Sequence, residues 1–144
     1  ECACAWSVDM ATTIVEVSFN RFAELAGLLP DMVDMEVEAT AKDIQADVQV
    51  DMAGPKSGRW YQNHRASAPG EAPAMDTGTL ANSIDTERES PGAWVVYTNV
   101  DYAEYLEFGT VRMASRPAFV PAAERNAQGF TDRIADAIAG GFGG

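Results

Sequence analysis

Cysteine, histidine and basic side chains are all scarce in this chain, and each shortage removes a class of function. The 144 residues include 2 cysteines and 1 histidine. Cys2 and Cys4 stand together at the start, where they cannot staple a core, and no further cysteine is present to pair with either. A Ser-His-Asp or Cys-His site can assemble only around the single His64. One histidine and a terminal Cys-x-Cys also fall short of the usual tetrahedral zinc set. Lys and Arg number 10 against 22 Asp and Glu, a formal charge of −12. That balance repels phosphates and argues against a surface that grips bare nucleic acid. No apolar run approaches the ~18 residues needed to span a bilayer, so no membrane partner is expected. Gly54-Pro-Lys-Ser-Gly lacks the Gly-Lys-Ser/Thr ending of a phosphate loop and follows a helical pattern rather than a strand. No cofactor is called for.

What remains is a chain 47% apolar and 22% charged, the composition of one globular domain. A domain of this size buries ~70% of its unfolded surface and needs neither metal nor disulfide to fold. Residues 1–9 lack the basic start and apolar stretch of a secretory signal, while Met10-Ala-Thr-Thr has the look of a natural start. They are therefore read as a non-native or disordered extension, with a single domain over 10–139 and a flexible Gly-rich tail over 140–144.

Within the domain, Thr12 to Phe19 is β-branched and alternates, which predicts a strand. Phe22, Leu25, Ala26 and Leu29 predict a brief helix ending near Pro30. Val33, Val37, Ala41, Ile44, Val48 and Met52 recur at gaps of three and four, the signature of a long amphipathic helix. Its other face carries Asp31, Asp34, Glu36, Glu38, Asp43, Asp47 and Asp51 against Lys42. Such a face is either solvated, or meets a basic partner, or lines a passage that DNA slides through without sticking.

Residues 54–78 then lose all periodicity and gather Gly and Pro, which predicts a long extended arm. The first half of the arm, with Lys56, Arg59, His64 and Arg65 beside Trp60 and Tyr61, contains no acid. A basic, aromatic arm on an acidic body is the most informative physical feature of the sequence. Ser83–Glu89 and Ala93–Asn99 flank Ser90-Pro91-Gly92 and predict a hairpin. Asp101, three residues before Glu104, fits a helix cap. The short helix to Phe108 is expected to bury Tyr102, Tyr105 and Leu106. Gly78 and Gly109 fit positions needing positive φ. Beyond Pro117 and Pro121, Ala123, Ala127, Phe130, Ile134, Ala137 and Ile138 form one face of a last helix. The expected fold is α+β, a small twisted antiparallel sheet packed against one long and one C-terminal helix.

Paired carboxylates are the remaining enzymatic option. Glu104 and Glu107 occupy neighbouring positions on one helix and, with Asp76 or Asp101, could form a magnesium site for a hydrolase. A chain so rich in acids shows such pairs by chance, and the expectation is a protein without catalysis.

Five blocks occur in order: Gly-Arg-Trp-Tyr (58–61), Ala-Ser-Ala-Pro-Gly-Glu-Ala-Pro-Ala (66–74), Thr-Gly-Thr-Leu-Ala-Asn-Ser-Ile (77–84), Tyr-Ala-Glu-Tyr-Leu-Glu-Phe-Gly-Thr (102–110) and Arg-Pro-Ala-Phe-Val-Pro-Ala (116–122). Together they resemble the small head–tail joining, or tail-completion, proteins of long-tailed, non-contractile bacteriophages. The resemblance implies a virion structural protein, a sixfold ring in the neck, made in the host cytoplasm and joining tail to head. A head-completion protein would lie on one side and a tail terminator or tail tube on the other, with DNA passing through unread. A tail terminator or a head-completion ring are the alternatives within the same class. Subunit or partner contacts then fall to Lys56, Arg59, Trp60, Tyr61 and Arg65 in the arm, and to Glu107, Thr110 and Arg112 after it. No catalytic, cofactor or metal residue is assigned.

Overall fold

Apolar residues at helical spacing give the long helix its buried face. The computed structural model describes residues 5–9, 14–18 and 30–142. In it α1 runs Pro30–Ala53. Val33, Val37, Ala41, Ile44, Val48 and Met52, the six predicted positions, are all buried. Proline suits the first helical position because its missing N–H has no partner there anyway. The helix predicted around Phe22–Leu29 lies outside the described residues.

Four strands make an antiparallel sheet: β1 (Ala5–Asp9), β2 (Ile14–Ser18), β5 (Asp85–Ser90) and β6 (Ala93–Tyr97), in the order β1-β2-β6-β5. Strand β1 is built from residues set apart above as an extension, and it pairs with β2 from Ala5 opposite Ser18 to Asp9 opposite Ile14. The predicted hairpin is β5–β6, turned at Pro91-Gly92 with Gly92 at φ 75°. A second sheet of two short strands, β3 (Trp60–Tyr61) and β4 (His64–Arg65), stands apart from it. Three more helices follow β4 in the chain: α2 (Thr79–Asn82), α3 (Ala103–Phe108) and α4 (Phe119–Phe142). The last extends through Gly140 to Phe142, into the stretch expected to be a loose tail. The fold is α+β, as the sequence predicts.

α1 is the spine against which α4, the β5–β6 hairpin and α2 pack. One core cluster joins Ile44, Val48 and Met52 of α1 to Leu80, Val96, Ala103, Phe119 and Ala123. A second joins Val33 and Val37 to Phe130 and Ile134 of α4, and Trp94 packs against both.

Apart from Asp31, the acidic face of α1 finds basic partners inside the same chain. Arg125 of α4 lies 2.6 Å from Asp51 and 3.8 Å from Asp47. Arg133, one turn pair further along α4, bonds Thr40 Oγ1 at 2.6 Å and stands 3.5 Å from both Glu36 and Asp43. Lys42 pairs with Glu38 one turn back on α1. Asp34 accepts from Arg88 Nε, the Gly92 amide and Trp94 Nε1 at 3.1, 2.9 and 3.2 Å, tying the β5–β6 turn to α1. Burial pushes the Asp34 carboxyl up, but the Gly92, Arg88 and Trp94 donors outweigh it and hold it below its ordinary 3.8. Its stabilising contribution is therefore complete above that value and is lost as pH falls through the lower folded one. Asp34→Ala should cost about 1.5 kcal/mol at neutral pH, read from urea unfolding. It should also flatten the acid limb of stability against pH.

Candidate subunit-contact surface

The segment after α1 is folded back on itself, not extended. Gly58 N donates to Ala66 O at 3.0 Å and Ala66 N to Arg59 O at 2.9 Å, lengthening the β3–β4 ladder at its base. Trp60 sits opposite Arg65 and Tyr61 opposite His64, joined by Gln62-Asn63 with Gln62 at φ 42°. Arg65, offered above as a contact residue, is exposed and donates its guanidinium to the Gly58 and Ser57 carbonyls, both at 2.9 Å. Lys56 is likewise spent on the fold, reaching the Asp51 carbonyl at the end of α1 at 2.5 Å. Burial lowers the Lys56 ammonium, against the pull of Glu71 and Asp51.

Glu71 closes the loop. Its carboxylate accepts from Ser57 Oγ, from Ser57 N at 3.1 Å and from Ala68 N at 2.8 Å. The Ser57 hydroxyl and those two amides draw the Glu71 carboxyl down to about 2 from its ordinary 4.5. The loop's support from Glu71 is thus complete above pH 4.5 and disappears as pH falls through about 2. Amide protection at Ser57 and Ala68, taken relative to the intrinsic exchange rate at each pH, should fall over that window. Glu71→Gln should reproduce the loss of protection at neutral pH, and equal protection in both proteins would contradict this role. Two further bonds moor the segment to the body: Gly70 N to Ser115 O at 2.9 Å and Arg116 Nε to Ser67 O at 3.3 Å.

Folding the loop this way leaves a defined surface at its tip. Trp60 is 66% and Tyr61 50% exposed. The Arg59 guanidinium lies 5.6 Å from the Tyr61 ring centroid, and Tyr61 stacks on His64 at 6.2 Å. Asp76 stands 3.6 Å from His64 Nδ1. Of the proposed contact residues, Arg59, Trp60, Tyr61, Arg65, Thr110 and Arg112 are exposed. Thr110 Oγ1 accepts from the Arg112 and Met113 amides at 3.3 and 3.1 Å and shapes the turn after α3.

Glu107 does not belong to that surface. It is 4% exposed, and its carboxylate takes the amides of Ala118, Phe119 and Val120 at 2.8, 3.1 and 2.7 Å. These are the orphan donors at the start of α4, where an anion also meets the positive end of the helix dipole. Pro121, next in line, has no N–H to satisfy. The carboxyl pair Glu104–Glu107 is therefore not presented together to a metal, and the described residues include no group of three or more potential metal-ligating His, Cys, Asp or Glu side chains.

The sequence reading missed the apolar part of this surface. Helix α3 buries Ala103 and Glu107 and half-buries Leu106, whereas Tyr102, Tyr105 and Phe108 are 46%, 55% and 50% exposed. Tyr102 rather than Asp101 occupies the cap position, and no side chain caps the helix. Tyr102, Tyr105 and Phe108 recur every third position from the cap along α3 as one stripe, and Val111 in the following turn is fully exposed as well. That spacing was the available signal. Gly109 at φ 74° ends α3, and a Cβ there would come within 2.8 Å of Met113 O, so the turn that displays Val111 requires glycine. Gly78 is also left-handed, at φ 76°. A depression of about 220 Å3 runs between Met75, Met52, Tyr102 and Leu106. It adjoins one of about 210 Å3 bordered by Lys56, His64 and Arg65, sharing Met52, Ala74 and Met75. The hairpin and the α3 stripe thus frame one side of the molecule.

No helix among the described residues is long and apolar enough to cross a membrane. Compared with family models, with curated proteins and with solved structures, the chain matches none. The class the described residues define is an α+β domain with a preorganised, aromatic-tipped hairpin.

Proposed function

We propose that this chain is a structural subunit of a ring in the neck of a long-tailed, non-contractile bacteriophage, and that the ring joins the tail to the head. The observation that carries this reading is the Arg59-Trp60-Tyr61 tip. Large aromatic and Arg side chains stand in solvent on a hairpin that Glu71 and Arg65 hold rigid from behind. Aromatic and Arg residues dominate interface energetics, and a rigid display lowers the entropy cost of docking. The ordered blocks from Gly58 to Ala122 supply the likeness to neck proteins. A head-completion protein and a tail terminator or tube are the neighbours on the two faces. The chain's charge of −12 lets DNA pass without adhering.

Native mass spectrometry and electron microscopy of the purified protein test the proposal. Closed rings, alone or on mixing with phage tails, are the expected result. A monomer under both conditions, or cleavage of DNA or peptide in magnesium that Glu104→Ala abolishes, would overturn it.

A further inference from the structure

The two ends of α1 carry complementary chemistry. At its C-terminal end lies the hairpin, tied there by Lys56 to Asp51 O and bordering Met52 through His64 and Arg65. At its N-terminal end Met32 and Met35 are 44% and 68% exposed, beside exposed Asp31. Residues three and four apart share a helix face, so these three side chains form one small apolar and acidic patch. Asp34, in the same turns, fastens the β5–β6 turn, which adds exposed Glu89 to that end. From Asp34 to Met52 the helix measures ~27 Å at its usual rise, so tip and patch lie at opposite ends of the molecule.

The tip is one of two places among the described residues where a cation is left without a carboxylate or carbonyl partner. Among the described Lys and Arg residues, only Arg59 and Arg112 have no oxygen partner for their side chains. Arg88, Arg125 and Arg133 are held by carboxylates, Lys42 by Glu38, and Lys56, Arg65 and Arg116 by carbonyls. Arg59 instead lies over Tyr61, exposed and flanked by Trp60. Asp31 has no partner among the described residues. Methionine sulfur and aromatic rings attract one another, and the guanidinium supplies a positive counter-charge to the Asp31 and Glu89 carboxylates.

Resting on the ring proposed above, we infer that the Arg59–Tyr61 tip of one copy docks on the Asp31–Met35 patch at the N-terminal end of α1 in the next copy. Donor and acceptor sit at opposite ends, so the contact is heterologous and propagates head to tail. Such contacts form rings where the rotation closes. A two-fold pair would need both patches on one face. The α3 stripe, on the hairpin side, stays free for a different neighbour.

Cross-linking and charge exchange test the contact in the full chain. With Cys2 and Cys4 changed to Ser, Tyr61→Cys plus Met35→Cys treated with a short bis-maleimide should give a ladder of covalent oligomers. Either cysteine alone should give none. Arg59→Glu should weaken assembly at least about tenfold, and adding Asp31→Arg to the same chain should restore it. If Tyr61→Cys alone yields covalent dimers, the contact is two-fold and the inference fails. Rings that form without the ladder, and that ignore both charge changes, overturn this contact and leave the ring reading standing. A parent protein that never leaves the monomer mass overturns the ring reading itself, and this inference with it.

Discussion

Glu107→Ala is expected to lower the unfolding free energy by about 3 kcal/mol or more, because three amides at the start of α4 lose their shared acceptor. Two of those amides, on Ala118 and Phe119, belong to buried residues that water does not reach. An unsatisfied buried donor keeps its full desolvation cost, and the positive end of the helix dipole loses its counter-charge as well. Against a typical total of roughly 5–15 kcal/mol, such a loss leaves a marginal protein. Glu107→Gln keeps one carbonyl acceptor and should recover part of the loss. Urea unfolding of the three proteins decides it. A midpoint for the alanine variant indistinguishable from that of the parent would show that α4 is anchored by its apolar face alone.

Trp60→Ala should have the opposite profile. At 66% exposure Trp60 contributes little to the monomer, so its removal should move folding stability by less than about 0.5 kcal/mol. Ring assembly should weaken by about 2 kcal/mol, roughly thirtyfold in dissociation constant, as truncation of an interface anchor does. Sedimentation across a concentration series reads the assembly, and thermal unfolding of dilute protein reads the fold. Unchanged assembly would remove Trp60 from the contact. A large drop in unfolding midpoint would show that it supports the fold after all.

The contrast between Glu107 and Trp60 also shows what was legible in the sequence. Both were candidates for contact, and both lie in blocks read from the sequence as resembling neck proteins. Only Trp60 is at the surface. Glu107 is buried because the amides it satisfies arrive from a segment 11 to 13 residues further along the chain. Nothing local to Tyr-Leu-Glu-Phe announces that a helix will start against it. Tyr102 and Tyr105 failed in the other direction. Their size suggested the core, yet the small Ala103 takes the buried position and the tyrosines face water.

Long-range pairing also gives six of the seven acids of α1 cations that the sequence did not assign to them, or, for Glu38, a neighbour on the same helix. Its charge asymmetry was plain, and a solvated face, a basic partner and a DNA passage were all compatible with it. Arg88, Arg125 and Arg133 meet that face across 54, 74 and 93 residues of chain. The arm is a similar case. Its basic half is free of acids in sequence, yet Glu71 and Asp76 from its second half come to Ser57 and His64.

By itself the sequence determined the elements whose signal is local. These are the periodic α1, the β5–β6 hairpin around Pro91-Gly92, the left-handed Gly78 and Gly109, and the α+β class. Tertiary structure alone decided which face of α3 is buried, where the acids of α1 find their cations, and that the arm folds into a clamped hairpin. The physical reason is one of range. Spacing along a helix or strand determines which side chains point the same way, a property of a few consecutive residues. Which of those faces is covered, and which donor finds which acceptor, depends on segments that meet only when the chain packs.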